Sequence, residues 1–589
     1  MKLHKHKTKC QKSTKNSYHY PQPPPHCSSS SRSSEYPPEY SPEPSETAGK
    51  KPISVSQAVL RAMCNSTPDP DLCFSVVSSA SSGGYKLTSQ KDVIAAILNA
   101  AVAAARRSYV DVESVIMARS DIPAKTEVAV NVCLETIELG LEDLRDAAEA
   151  FRLYPTKENL QRQAHDLNIL ISSAMTYQET CLDGFSGDPF DKLVREIFSD
   201  SLIKVERLSS IILHMIKSMT ETDIANFEPK SRTSTTPDLI KEVTETAAEV
   251  VGDGWPWWLS EKDRRFLESS EIKPDAVVAA DGSGDFTMVA EAVEAAPNNS
   301  KVRYVIKIKA GVYREIVRVP SKKKMLMLVG DGRLNTIITG NLSVGGTPNM
   351  STFNSATVVV TGDHFLARDI TFENTAGPAN AQAVAIRLGA DHSAFYRCGF
   401  SAYQDTLYVH SKRQFFRNCF VAGTVDFIFG NSAVVLQNCD IDARIPGRGK
   451  QNMVTAQGRT DKNQDTGIVI QNCRINATSD LWPVMDEYPS YLGRPWQEYS
   501  RTVVMQSSIS EVINPKGWRP WNSSNFYLDT LTYREYSNRG PGANTKYRVK
   551  WKGFKVITDP KEAEPYTADE FIDGSSWVPE TGFPYQPGL

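Results

Sequence analysis

Two aspartates 21 residues apart, Asp405 and Asp426, stand in the segments Tyr403-Gln404-Asp405-Thr406-Leu407-Tyr408 and Val425-Asp426-Phe427-Ile428-Phe429-Gly430. Aspartate is disfavoured in strands, and a carboxylate among Phe, Tyr and Ile carries a desolvation cost. Such surroundings raise the pKa of one carboxyl while its partner stays ionised, which separates an acid from a nucleophile. The competing reading is a turn or ladder aspartate in each segment. A serine esterase is the alternative ester hydrolase, but no Gly-x-Ser-x-Gly elbow occurs, and Gly430-Asn431-Ser432-Ala433-Val434 lacks the second glycine. Asp281-Gly282-Ser283-Gly284-Asp285 is not a phosphate loop, since its flanking acids repel phosphate. The 9 histidines are scattered without metal-ligand spacing. Neither a metal nor a cofactor is expected.

An internal repeat indicates what would bring the two aspartates together. Phe395-Tyr396-Arg397-Cys398-Gly399-Phe400, Phe416-Arg417-Asn418-Cys419-Phe420, Val435-Leu436-Gln437-Asn438-Cys439-Asp440-Ile441 and Val469-Ile470-Gln471-Asn472-Cys473-Arg474-Ile475 share one pattern, with cysteine offsets of 21, 20 and 34. Short strands repeating near twenty residues, without helical segments between them, predict a right-handed parallel β-helix with coils stacked about 4.8 Å apart. Residues one repeat apart then share a face, so Asp405 and Asp426 should face each other across adjacent strands. The offset of 34 predicts a loop extruded from one coil. Period-two alternation begins at Lys273 and includes Val302, Tyr304, Ile306 and Ile308, so the solenoid is placed at 271–589. Cysteines 398, 419, 439 and 473 fall at corresponding points of successive coils. A Cys419–Cys439 bridge is expected from their one-coil offset; Cys398–Cys419 with Cys439–Cys473 competes, as do free buried thiols.

Residues 53–227 carry a different period. Leu134, Ile137, Leu141 and Leu144 form one apolar stripe, and Val205, Leu208, Ile212 and Met215 another. Several such stripes predict an antiparallel four-helix bundle, and hence a two-domain chain, all-α then all-β. Cys64 with Cys73 would staple a short hairpin, and Cys133 with Cys181 would tie two helices; four cysteines allow three connectivities. Residues 228–270 read as a linker containing the dibasic pair Arg264-Arg265, which a protease could reach if exposed. Residues 1–52, rich in Lys, His, Ser and Pro, read as a disordered tail without a signal-like apolar run or a membrane span.

The bulk numbers exclude rather than select. A length of 589 residues suits two domains, and a net charge of -3 favours neither nucleic-acid binding nor an acidic solvating role. The chain is read as having no basic tract interleaved with aromatics of the kind nucleic-acid surfaces use. Ten cysteines and the sequons at Asn65, Asn298, Asn341, Asn349, Asn476 and Asn522 lean towards an oxidising, secretory setting.

Five ordered blocks resemble the signature of the plant pectin methylesterases: Gly311-Val312-Tyr313-Arg314-Glu315, Gln382-Ala383-Val384-Ala385-Ile386-Arg387, Tyr403 to Tyr408, Asp426-Phe427-Ile428-Phe429-Gly430 and Leu492-Gly493-Arg494-Pro495-Trp496. The cysteine spacing and helical setting of the first half resemble the plant invertase and pectin methylesterase inhibitor family. The resemblance implies Asp426 as nucleophile, Asp405 as general acid and base, and Gln382 and Gln404 as amide donors to an oxyanion. It further implies Arg494 as the carboxylate partner of Asp426, Trp496 as a substrate-contacting ring and Thr352 as a further substrate contact. Arg264-Arg265 resembles the site where such a proregion is cut. The implied partners are pectin, an inhibitor-type helical domain and a processing protease, and the implied location is the cell wall. Tyr403, Trp496 and Trp518 could offer faces to sugar rings. A β-helix glycosidase or lyase is the second reading, since an aspartate pair also serves glycoside cleavage; two glutamines suit an acyl oxyanion better. A third reading makes the chain chiefly an esterase-capturing binding protein.

Overall fold

The computed structural model describes residues 57–85, 87–118, 122–154, 160–185, 189–227, 273–522 and 526–589. The expected tail and linker, including Arg264 and Arg265, lie outside the described residues.

Two short helices, α1 (Gln57–Cys64) and α2 (Pro70–Ser82), precede four long ones, α3 (Gln90–Ala118), α4 (Ala124–Leu153), α5 (Leu160–Asp183) and α6 (Pro189–Phe227). Helix α2 starts where the Asp69 carboxylate accepts from the Leu72 amide at 3.2 Å, with Pro70 in the first turn. Val130, Cys133, Ile137, Leu141, Leu144 and Phe151 turn one face of α4 inward at helical spacing and are buried. Disulfides join Cys64 to Cys73 and Cys133 to Cys181, tying α1 to α2 and α4 to α5. By length and composition alone the span Gln90–Val115 of α3 could cross a membrane, but it serves as a core helix of the bundle. Its Val93, Ile94, Ile97, Leu98, Ala101 and Ala105 are buried in one core with Val205, Leu208, Ile212 and Met215 of α6.

From Ala276 onward the chain winds into three parallel sheets of 11, 7 and 8 strands among the described residues, each strand pairing with its counterpart one coil away. Phe395, Phe416, Leu436, Ile470 and Val504 follow one another in register down the interior, with the rings of Phe395 and Phe416 stacked at 4.8 Å. The polar residue of the repeat makes the corner: Arg397, Asn418, Asn438, Asn472 and Gln506 all adopt φ between 52° and 55°. Asn tolerates that left-handed conformation better than most residues, so the repeating Asn-Cys marks where each coil bends.

The cysteine after each corner points into the core. Cys398, Cys419, Cys439 and Cys473 are all free and buried, so the bridge expected between Cys419 and Cys439 does not form. Parallel stacking projects these side chains side by side rather than at one another. The thiols instead donate to backbone carbonyls, Cys439 Sγ to Gln437 at 3.3 Å and Cys473 Sγ to Gln471 at 3.2 Å.

The seven-stranded sheet matters most for the site. In chain order its strands are β1 (Val317–Val319), β2 (Val358–Val360), β3 (Ile386–Leu388), β4 (Leu407–Val409), β5 (Ile428–Gly430), β6 (Asn452–Gln457) and β7 (Ser490–Pro495). The coil lengthened between Cys439 and Cys473 carries its extra residues in two loops, 444–451 and 458–466, on either side of β6.

Candidate active site

Leu407 of β4 pairs with Ile428 of β5, so the residues two places earlier, Asp405 and Asp426, occupy equivalent points of adjacent coils. Neither lies within a strand. Both sit in the turn before one, at φ 64° and 52°. Aspartate tolerates this conformation, so the turn, rather than strand alternation, aims each carboxylate. The turns stack closely because Gly423 lacks a side chain: a Cβ there would stand 2.2 Å from Cβ of Phe427 and 2.5 Å from Oγ1 of Thr406. Thr406 Oγ1 fixes the first turn by donating to the carbonyls of Tyr403 and Ala422, both at 3.1 Å.

Asp405 and Asp426 are 7% and 5% exposed, so neither charge is fully hydrated. Burial lifts the Asp405 carboxyl well above the usual carboxylate range, and the like charge of Asp426 adds to it. Burial also raises Asp426, but the Arg494 guanidinium opposes the rise. That guanidinium grips Asp426 with both prongs, Nε to Oδ1 at 2.8 Å and Nη2 to Oδ2 at 2.5 Å. Arg494 is itself held from behind by the ring of Trp521, 4.1 Å from its Cζ, and by the Trp521 carbonyl, which accepts from Nη1 at 3.4 Å. The two carboxyls are therefore unequal, Asp405 favouring its proton more strongly.

Gln382 and Gln404 pair across adjacent coils, the Gln404 carbonyl accepting from the Ala383 amide at 3.1 Å. Lys450, on the loop 444–451, donates to Gln404 Oε1 at 2.8 Å. With its oxygen so engaged, the Gln404 amide keeps its Nε2 donors for another acceptor. The Trp496 ring lies against Gly458 and 6.2 Å from Phe429. Thr352 lies on the turn before β2, two strands from β4 and next to Phe353 of the patch that holds Tyr408, Phe429 and Trp496. Trp518, proposed as a sugar platform, is only 1% exposed; its ring packs 4.3 Å from Tyr533 and its indole donates to Glu535, so its main place is the solenoid core. Tyr403 carries the Arg444 guanidinium 3.9 Å above its ring. Lys450 and Trp521 were missed from sequence because both stand in irregular segments outside the repeat.

The outer face of this sheet is covered by the bundle. Val132 of α4 packs on Phe353, Val359, Val384, Tyr408, Phe429 and Ala456. Glu135 pairs with buried Arg387 of β3 at 2.9 Å, Asp143 with Lys412 at 2.8 Å, and Asp166 with Arg413 at 2.7 Å. From α5, the Tyr177 hydroxyl donates to the Gly389 carbonyl at 3.3 Å, the Thr180 hydroxyl meets His410 Nε2 at 2.8 Å, and Glu179 accepts from Gln497 Nε2 at 3.0 Å. Thr176, Glu179, Thr180 and Asp183 close a small pocket against Trp496 and Tyr408.

Residues 275–575 match the family model described as pectinesterase, and residues 58–215 that described as plant invertase/pectin methylesterase inhibitor. A relative in Arabidopsis thaliana named pectinesterase/pectinesterase inhibitor 3 is 58% identical over 543 residues, covering 91% of each chain. The chain belongs to the pectinesterase family. Like other pectinesterases it is a carboxylic ester hydrolase, and it carries an inhibitor-type helical domain ahead of the esterase domain. A Daucus carota pectinesterase is 66% identical over 322 residues, which are 55% of this chain and 100% of the carrot protein. The solved carrot pectin methylesterase superposes with a TM-score of 0.53 over the same shares. The pectinesterase β-helix thus exists elsewhere without a bundle.

Proposed function

We propose that the chain hydrolyses methyl esters of galacturonate in pectin, with Asp426 as nucleophile and Asp405 as acid and base. The observation that carries this reading is the forked Arg494 contact on one buried carboxylate beside a second whose pKa burial and like charge push upward. Ionised Asp426 attacks the ester carbonyl, and the Gln382 and Gln404 amides meet the oxyanion that forms. Protonated Asp405 gives its proton to departing methanol. As a carboxylate it then takes a proton from the water that opens the acyl anhydride, restoring both groups. The test is product analysis on methylated pectin: methanol appears without new reducing ends or unsaturated uronates. Chain scission would favour the glycosidase or lyase alternative instead.

Lys450 acts here through Gln404. Removing an oxyanion donor outright costs about 10²–10³ in kcat, and losing the group that orients one should cost less. Lys450→Met is expected to lower kcat about tenfold with little change in KM, and Lys450→Arg to restore most of it. Unchanged kcat in Lys450→Met would remove Lys450 from the machinery.

The bundle restrains the enzyme, because α4 and α5 occupy the sheet face that a polymer must reach. Docking should weaken as pH rises. Burial raises Glu179 to about 8, with Asp183 and Glu206 adding like charge against the opposing Arg195 and Gln497. A carboxyl raised in the docked state favours docking fully below its free value of 4.5, and that contribution fades as pH climbs to about 8. Activity of the whole chain relative to the separated esterase half should therefore rise about tenfold across that window. Glu179→Gln should flatten the profile.

Cutting near Arg264-Arg265 by a processing protease would release the restraint, and the oxidising signature of the bundle disulfides suits secretion to the cell wall.

A further inference from the structure

Beyond β7 the solenoid carries a second concavity that the ester chemistry does not use. A cavity of about 550 Å³ is lined by Tyr491, Lys516, Arg519, Tyr547, Lys550 and Trp551, among others. Its floor is built from buried, hydrogen-bonded groups. Arg548 forks onto Glu535, Nε to Oε1 at 2.7 Å and Nη2 to Oε2 at 3.0 Å, and the Trp518 indole donates to the same carboxylate at 3.1 Å. Gly517, at φ 72°, lets Arg548 lie across the turn, since a Cβ there would stand 2.4 Å from Arg548 Cδ. The Val549 amide ties the next segment to the Lys516 carbonyl at 3.1 Å.

The charge of Arg548 is thus spent internally. Lys516, Arg519 and Lys550 differ: among the described residues none has a carboxylate partner. Three unpaired cations on one concave surface form an anion site, and Tyr491, Tyr547 and Trp551 add ring faces suited to a sugar. Lys546-Tyr547-Arg548-Val549-Lys550-Trp551-Lys552 is also a basic tract interleaved with aromatics, contrary to the expectation that the chain has none.

Position relative to the aspartates selects the occupant. Gly493 of β7 bridges to Trp518, and the Arg519 amide donates to the Gly493 carbonyl at 3.0 Å, so the cavity continues the active-site sheet by one coil. Tyr491, which carries the Arg519 guanidinium 5.9 Å from its ring, is three residues from Arg494 on the same strand, about 10 Å away. Among the described residues, none from the bundle lines the cavity.

We propose that this cavity is a binding subsite for free uronate carboxylates, holding the de-esterified stretch of the same polymer whose esters are cleaved next door. This inference rests on the pectinesterase reading. The site is cationic, so it favours the product charge over the neutral ester, and it stays open while the bundle is docked.

The test uses the whole chain carrying Asp426→Asn, to prevent turnover, and isothermal titration at low salt with two oligogalacturonates of equal length, one fully de-esterified and one fully methylated. The free acid should bind at least about tenfold more tightly than the ester, and adding Lys516→Gln with Lys550→Gln should weaken it about tenfold. Both lysines are exposed, so the variant should fold, which its melting temperature checks. Equal binding of the two oligomers, no loss in the double variant, or equally tight binding of a DNA oligonucleotide of matched charge would overturn the proposal. Methanol release by the separated esterase half is scored independently: intact release with failed binding refutes this subsite alone, whereas absent release refutes the ester reading itself.

Discussion

Asp426→Asn is expected to lower kcat for methanol release by about 10⁴-fold or more, with KM changed by no more than about twofold. Asparagine matches the shape of the aspartate and tolerates φ 52°, so the turn before β5 should persist. Its amide oxygen can still accept from Arg494, which limits the cost of leaving a guanidinium unpaired in a half-buried site. What disappears is the negative oxygen that attacks. Asp405→Asn offers a contrast, because it keeps the nucleophile and removes the proton carrier; it should retain more acylation than hydrolysis and accumulate acyl-enzyme on substrates with good leaving groups. Methanol release by Asp426→Asn within about tenfold of the parent enzyme would place the nucleophile elsewhere.

The second large effect concerns the bundle. Val132 is buried against the sheet and belongs to the patch of Phe353, Val384, Tyr408 and Phe429, not to the internal core of the helices. Val132→Asp should therefore spare the bundle and break its seat, since an unpaired carboxylate cannot be held on that apolar face. The uncut chain bearing Val132→Asp is expected to show about 100-fold more activity than its parent. That ratio corresponds to a loss of about 2.7 kcal/mol of docking free energy, modest for one buried charge. Equal activity of variant and parent would show that the covering helices do not limit substrate access.

The solenoid was legible because its coils repeat: Asn-Cys recurs where the backbone must take a left-handed corner, so the period could be read from residue types alone. The juxtaposition of Asp405 and Asp426 followed from one coil of spacing, and the Arg494 contact from the motif around it. The repeat did not reveal that Asp405 and Asp426 sit in turns rather than strands, since period-two patterning says nothing about a residue just outside a strand. Lys450 and Trp521 stand in irregular segments with no partner at the repeat distance. The bundle's seat was hidden for another reason: Glu135 meets Arg387 across 252 residues, and nothing local in either helix or strand encodes that encounter. Cys419 and Cys439 misled because equal spacing indicates stacking, and stacked side chains run parallel.

The seat of the bundle is mostly wettable. Around two apolar contacts, at Val132 and Ile169, it is made of Glu135 on Arg387, Asp143 on Lys412, Asp166 on Arg413 and a few hydroxyls, so parting the two halves bares groups that water can solvate. A seal of this composition can be shed without either piece becoming sticky. The cover is then packaging rather than scaffold.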